Sequence, residues 1–421
     1  MKDTIYQTCL AALREELVPA LGCTEPIALA YAAAKAADIL GCEPEHITVK
    51  CSGNIVKNVK GVKVPNAGGM RGIQAASILG ALGGDSGRML QVLEDVTSEH
   101  LRRTRELLTS GYCSVELLDG ISELHIITEV FSQTHSALVE IAGSHTNIVR
   151  LVQDKKVLFQ AGEKAAAGAV DRSLLSFDRI IDFADNVEMA DVQDIIRQQI
   201  ACNTRISAEG LKTDYGANVG KTLLNTFGHD VKTRAKAAAA AGSDARMGGC
   251  SLPVVINSGS GNQGMTVSLP VIEFAKEYDK SEEALIRALV VSNLIAIHQK
   301  STVGKLSAYC GAVSAGCAAG VAIAYLMGES RQVMRDTLVN TLGSVAGIVC
   351  DGAKASCAAK IAAAVDAALL GYDMAVSGNR FQPEEGLIKA EIEDTIKTYG
   401  RLAKQGMYET DRTILDIMLE R

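Results

Sequence analysis

The sequence predicts an α+β protein: an Ala/Gly-rich helical domain that carries an inserted α+β lobe with a mainly antiparallel sheet. Three observations predict it. Between residues 46 and 152, short runs are rich in β-branched and other strand-favouring residues, as in Leu124-His125-Ile126-Ile127-Thr128-Glu129-Val130-Phe131, a β-rich pattern. From Ala190 onward, Ala-rich segments are punctuated by Gly-rich turns. The first 42 residues share that Ala-rich texture. Residues 1–42 and 190–421 are therefore expected to form one helical domain, with 43–189 as the inserted lobe.

The elements follow in order. Residues 5–21 read as an amphipathic helix with Leu10, Leu13, Leu17 and Leu21 on one stripe, shortened by Pro19. Pro26 opens a second helix, Ile27 to Leu40, and Gly41 stops it. Strands are expected at 46–51, 61–65, 112–118, 123–131, 136–142 and 147–152, interrupted by helices at 71–82 and 86–109. Beyond 190 the chain reads as helix, with turns near 242–249, 258–264, 343–356 and 371–379.

Composition narrows the function. At 421 residues the chain exceeds what one hydrophobic core usually serves. It is 48% apolar and 22% charged, within the range of folded soluble proteins. There is no Trp and aromatics are 4%, so helices are expected to pack closely through small residues. The net charge is −7 with no basic tract, which argues against nucleic acid. The N-terminus carries no charged segment followed by an apolar run, so no secretory signal is expected. Eleven cysteines in such a chain point to a reducing, cytoplasmic setting, where cysteine more often means metal or catalysis than disulfides. Cys310 to Gly328 is uncharged over about the length of a bilayer span. Its Ala, Gly, Ser and Cys residues gain little from lipid, so it reads as a buried central helix and no membrane is expected.

Four groups of residues could carry chemistry. The first is Cys310, Cys350 and Cys357, spaced C-x39-C-x6-C in small-residue surroundings. On one helix, Cys350 and Cys357 would be about 10.5 Å apart along the axis, too far for one small cluster. Asp351-Gly352 offers a turn, which places Cys350 in a loop and Cys357 in the first turn of the next helix, where the helix N-terminus favours a thiolate. Three such thiolates can hold an iron–sulfur cluster; the same residues also read as buried structural cysteines. Cys317 falls inside the apolar helix and reads as core.

The second group is Gly22-Cys23-Thr24-Glu25-Pro26. A thiol just before a helix start should have a lowered pKa and could serve as ligand, nucleophile or base, or be a loop cysteine beside an ordinary cap. Cys23 and Glu25 are the catalytic candidates, with Thr24 beside the substrate. The third is Ser258-Gly259-Ser260-Gly261-Asn262-Gln263-Gly264, preceded by Ser243-Asp244-Ala245-Arg246. A Gly/Ser turn entering a helix presents N–H groups to an anion. It lacks the Lys of a phosphate loop, so a substrate carboxylate is as good a ligand as a phosphate, with Arg246 adding a bidentate contact; a plain flexible turn is the alternative. The fourth comprises the polar clusters Ser52–Asn58, with Asn54 and Lys57, and Gly143–Asn147, with His145, Thr146 and Asn147. Both lie at strand ends and could face a cleft or be turn chemistry. His298 reads as a charge ending a helix.

The segments LGCTEPIALA (21–30), SDARMGG (243–249), NSGSGNQG (257–264), LSAYCGA (306–312) and CDGAKASCA (350–358) closely resemble the L-cysteine desulfidase family, essentially end to end. More distantly, the C-terminal half is similar to the α-chain of iron–sulfur L-serine dehydratases, which differ in the cysteine spacing after the second ligand. The resemblance implies a [4Fe–4S] cluster on Cys310, Cys350 and Cys357 with one open iron, a functional Cys23 near it, and no pyridoxal phosphate. It implies conversion of a small amino-acid substrate, L-cysteine, to pyruvate, ammonia and sulfide through 2-aminoacrylate. L-Serine dehydration by the same cluster and a non-catalytic iron–sulfur or redox-sensing protein are the alternatives. The Ala-rich helices would suit a homodimer.

Overall fold

The computed structural model describes residues 4–118, 124–161, 171–304 and 307–420. Its elements are α1 (Thr4–Glu16), β1 (Pro19–Leu21), α2 (Thr24–Leu40), β2 (His46–Ser52), α3 (Gly53–Val59), α4 (Gly72–Gly83), α5 (Ser98–Leu108), β3 (Cys113–Leu118), β4 (His125–Phe131), β5 (Ser136–Ala142), β6 (Ile148–Gln153) and β7 (Lys156–Gln160). They continue as α6 (Phe177–Asn186), α7 (Met189–Lys212), α8 (Val219–Phe227), α9 (Val231–Gly248), β8 (Pro253–Val255), α10 (Gly261–Glu277), α11 (Glu282–Val303), α12 (Gly311–Leu326), α13 (Arg331–Val345), α14 (Cys357–Val376), α15 (Ile392–Arg401) and α16 (Tyr408–Leu419). The α+β class is as the sequence predicts.

The large sheet runs in the order β3-β2-β4-β5-β6-β7. All its pairings are antiparallel except β2 with β3. Along β4 and β5, residues alternate strictly between buried and half-buried, as in strands with one face on the core. Helix α2 packs on α4 and across β4 and β5, whereas α1 packs on α11 and α6.

The helical part is organised around α12, which touches α10, α11, α13 and α14. Nearly all of α12 is buried. This explains its lack of charge, and among the described residues no helix is long and apolar enough to cross a membrane. Small residues do set the spacing. A Cβ on Gly316 of α12 would lie 2.8 Å from the carbonyl oxygen of Ala364 on α14, so these two helices meet backbone to backbone.

Several elements differ from expectation. The first helix ends at Glu16, because Pro19–Leu21 pairs antiparallel with Pro253–Val255. The second begins at Thr24, so Pro26 is its third residue. Residues 61–65 form no strand but a single bridge, Lys63 with Arg71. Residues 86–109 break into a 3-10 turn at Ser86–Gln91 and a helix that starts behind the Thr97–His100 capping box. The Gly residues near 242 and 371 do not mark turns. They lie inside α9 and α14, where each meets a neighbouring side chain, Met265 and Thr341 respectively. His298 lies within α11 rather than at its end, bonded to Glu393 at 2.8 Å.

Candidate active site

Three chain segments bring the three cysteines together. Cys310 is the N-cap of α12, in extended backbone conformation. Its N–H bonds the carbonyl of Ile348 at 3.1 Å, and the N–H of Cys350 bonds Ala308 at 2.6 Å. This short reciprocal pairing lays the Cys350 loop alongside the entry to α12. Gly352 then turns the chain at φ 97°, where a Cβ would sit 2.4 Å from the carbonyl oxygen of Lys57; a glycine is required on both counts. Cys357 opens α14. Lys360, one turn on, reaches back to the carbonyl of Val349 at 3.0 Å and pairs with Asp351, fixing the loop from the other side. A loop position for Cys350 and a helix-start position for Cys357 are as expected.

All three thiols line one cavity, with an empty volume of about 770 Å³ including its open mouth. The neighbouring Cys310 thiol, with help from Lys57, the N–H of Gly352 and Lys360, holds Cys350 down to about 6 against the effect of burial. Cys310 is correspondingly pushed well up. Burial also raises Cys357 despite its place at a helix start, so in the chain alone desolvation outweighs the helix-terminus effect.

The expectation for Cys23 is corrected in the same way. It is the N-cap of α2, yet its thiol is pushed well above its ordinary value by burial and by the negative charge of Glu25; Arg246 opposes both only in part. Its Sγ donates to Oε2 of Glu25 at 3.0 Å. Glu25 also accepts from Asn58 Nδ2 at 2.9 Å, and Thr24 Oγ1 lies 3.2 Å from it as a weaker, shared donor. Burial would raise this carboxyl, but the charge of His145, the Cys23 bond and Arg246 hold it below its ordinary value. The pair therefore rests as thiol and carboxylate. Cys23 shares a small apolar cluster with Val62 and Met247, against which Ala353 and Cys357 pack.

The Gly/Ser turn forms the third wall. Ser258 adopts φ 50°, Ser260 caps α10, and the Gly259 carbonyl accepts from Thr24 Oγ1 at 2.8 Å. This bond ties the turn to the Cys23 segment. Gln263 lies against Gly311, next to Cys310. Arg246, 3% exposed, donates its Nε to the carbonyl of Gly22 at 2.7 Å.

Of the expected residues, Cys23, Glu25, His145, Arg246, Ser258, Gly259, Ser260, Asn262, Gln263 and the three cysteines line the cavity. Thr24 stands behind it through its bonds to Glu25 and Gly259. Gly261 packs against Arg246. Asn54 and Lys57 lie on α3 outside the lining, with Lys57 paired to Asp411 at 2.5 Å. Thr146 and Asn147 belong to a turn, where Asn147 Nδ2 bonds the carbonyl of Ala142. Asn58, Lys300 and Tyr309 line the cavity without having been singled out. Asn58 stood in the Ser52–Asn58 cluster, so a signal existed; Lys300 gave none, since a lysine near a helix end reads as a solvated charge.

Among the described residues, no three His, Cys, Asp or Glu side chains converge where a single metal ion could sit. A cluster asks for something else: its thiolates go to separate irons and stand apart. Three thiols lining one cavity fit that donor set.

The comparisons agree in kind. The family model described as serine dehydratase alpha chain matches residues 87–416. A "UPF0597 protein" of Lachnoclostridium phytofermentans is 52% identical over 416 residues, covering 99% of this chain and all of that protein. Proteins of the same designation from Desulfitobacterium hafniense and Treponema denticola are each 49% identical, over 100% and 99% of this chain and 98% of their own length. With a site of three cysteines built almost wholly inside the matched region and relatives aligned end to end, the chain belongs to the serine dehydratase alpha-chain family.

Proposed function

We propose that the protein is an iron–sulfur lyase that eliminates the β-substituent of a small amino acid, with L-cysteine as substrate and pyruvate, ammonia and sulfide as products. The observation that carries this reading is the single cavity onto which Cys310, Cys350 and Cys357 open together with Cys23 and the Ser258–Gln263 turn. Cys310, Cys350 and Cys357 would hold a [4Fe–4S] cluster. When bound, the cluster supplies a Lewis-acidic iron that stabilises the departing sulfide or hydroxide.

The chain's own residues do the rest. The N–H groups at the start of α10 and the Arg246 guanidinium attract the substrate carboxylate. Thr24 and Asn58 fix Glu25, and Glu25 fixes Cys23. Cys23 passes its proton to Glu25 and takes the α-proton of the substrate; Arg246 favours the deprotonated state of both groups. The bond from the β-carbon to its leaving group breaks with that proton transfer. Glu25 gives its proton to the leaving group and returns to carboxylate, and 2-aminoacrylate leaves and hydrolyses to pyruvate and ammonia.

The family description favours a second reading, L-serine dehydration at the same site. Anaerobic loading with iron and sulfide, followed by parallel assays of L-cysteine and L-serine, tests both. A larger kcat/KM for L-cysteine, with sulfide and pyruvate formed in equal amounts, supports the first reading. A larger value for L-serine replaces it with the second, and a loaded protein inert toward both would leave only a non-catalytic role.

A further inference from the structure

Lys300 lies in the last turn of α11 and is 5% exposed. It lines the cavity together with Cys310 and Cys350. Its ammonium makes no hydrogen bond or ion pair with any described residue. The neighbouring cations are all engaged. Lys57 pairs with Asp411, Lys360 and Lys354 with Asp351, and Arg246 with the Gly22 carbonyl and the charge of Glu25. Glu25, the carboxylate among the described lining residues, is filled by Cys23, Thr24 and Asn58.

A buried ammonium without a partner is expensive, by several kcal/mol or more. Burial pushes Lys300 down, the nearby thiols and Glu16 opposing that push. The ammonium thus lies buried in the cavity without a hydrogen-bond or ion-pair partner, with the thiols of Cys310 and Cys350 and the more distant charge of Glu16 as its negative surroundings. An anionic group of a molecule seated in the cavity would complete its bonding.

We infer that Lys300 anchors the α-carboxylate of the substrate from α11, complementing the N–H groups of the Ser258–Gln263 turn and Arg246. This rests on the lyase reading above. A carboxylate bound there would be presented beside Cys310 and Cys350, and its charge-assisted bond to Lys300 would be sheltered from water.

The test uses the full chain, loaded anaerobically, as wild type, Lys300→Met and Lys300→Arg. Iron content and visible absorption report the cluster. Calorimetric titration reports binding of L-alanine, which keeps the amino-acid end and lacks a leaving group, and of L-alaninamide, which lacks the carboxylate. Lys300→Met is expected to load iron as wild type does and to bind L-alanine roughly 10- to 100-fold more weakly, with alaninamide unchanged. KM should rise by the same factor while kcat moves less, and Lys300→Arg should recover part of the loss. Loss of iron in both variants would overturn the inference, since Lys300 would then serve the thiolates. Unchanged L-alanine affinity in Lys300→Met would overturn it too. Lys300-dependent L-alanine binding in a loaded wild type that turns over nothing would sink the lyase reading and leave the carboxylate site standing.

Discussion

Cys23 donates its thiol hydrogen to Glu25 at 3.0 Å, and Glu25 is in turn held by Asn58 at 2.9 Å. In the proposed mechanism the two residues act as one proton-handling unit, so each substitution should disable the other. Cys23→Ser and Glu25→Gln are each expected to retain the cluster and lower kcat by roughly 10²- to 10⁴-fold, the range of general acid–base contributions, and the double variant should lose little more. Iron content and kcat measured on the same preparations check this. Turnover near the wild-type rate in either variant would remove the pair from the mechanism.

The cysteines of the cavity separate cleanly from one buried nearby. Cys317 is fully buried inside α12, whereas Cys357 faces the cavity. Cys357→Ala should abolish stable cluster loading, and Cys317→Ala should load fully with a modestly lowered Tm. Anaerobic iron and sulfide analysis distinguishes them. The same iron count in both variants would contradict the ligand assignment.

The contact between the two cysteine-bearing helices predicts a stability effect away from the chemistry. With Ala364 2.8 Å from a Cβ at Gly316, Gly316→Val must push α12 and α14 apart. Overpacking of this kind costs about 1–3 kcal/mol. Denaturant unfolding should read that loss, and reduced cluster affinity should accompany it because Cys310 and Cys357 sit at the ends of these helices.

Acid should loosen the attachment of α15. Burial would raise Glu393, but its bond to His298, the histidine's charge and the N–H of Phe177 outweigh burial, and the carboxyl lies below its ordinary value of 4.5. A carboxyl depressed in the folded state contributes stability that is present above the unfolded pKa and lost as pH falls through the folded one. Wild type should therefore be more stable than Glu393→Gln at pH 7, with the gap closing below about pH 4.5. Melting curves of the two proteins across that range provide the check; a gap independent of pH would exclude the pair as its source.

How much was legible in the sequence follows from which forces are local. Enrichment in β-branched and apolar residues over 125–131 and 136–142 is a local signature, and β4 and β5 form where it lies. The Asp351-Gly352 turn is likewise local, and it placed Cys350 and Cys357 correctly. The three-residue pairing of Pro19–Leu21 with Pro253–Val255 has no local signature, so a helix was read through it. Glycines 242 and 371 were read as breakers, but they serve close helix contacts set by the partner side chain. The thiol of Cys23 was expected low because a helix start is visible in sequence; burial and the approach of Glu25, which oppose it, are not. Lys300 has no local signature at all, because its enclosure comes from packing.

The central claim is a cluster held by three thiolates, with one iron left for substrate. Mössbauer spectra of the ⁵⁷Fe-loaded protein, recorded with and without L-cysteine, test it most directly. The account predicts that one iron of the four is distinguishable from the rest and that its signal alone shifts when substrate is added. Four irons unmoved by substrate, or a protein that binds no cluster under anaerobic loading, would contradict it.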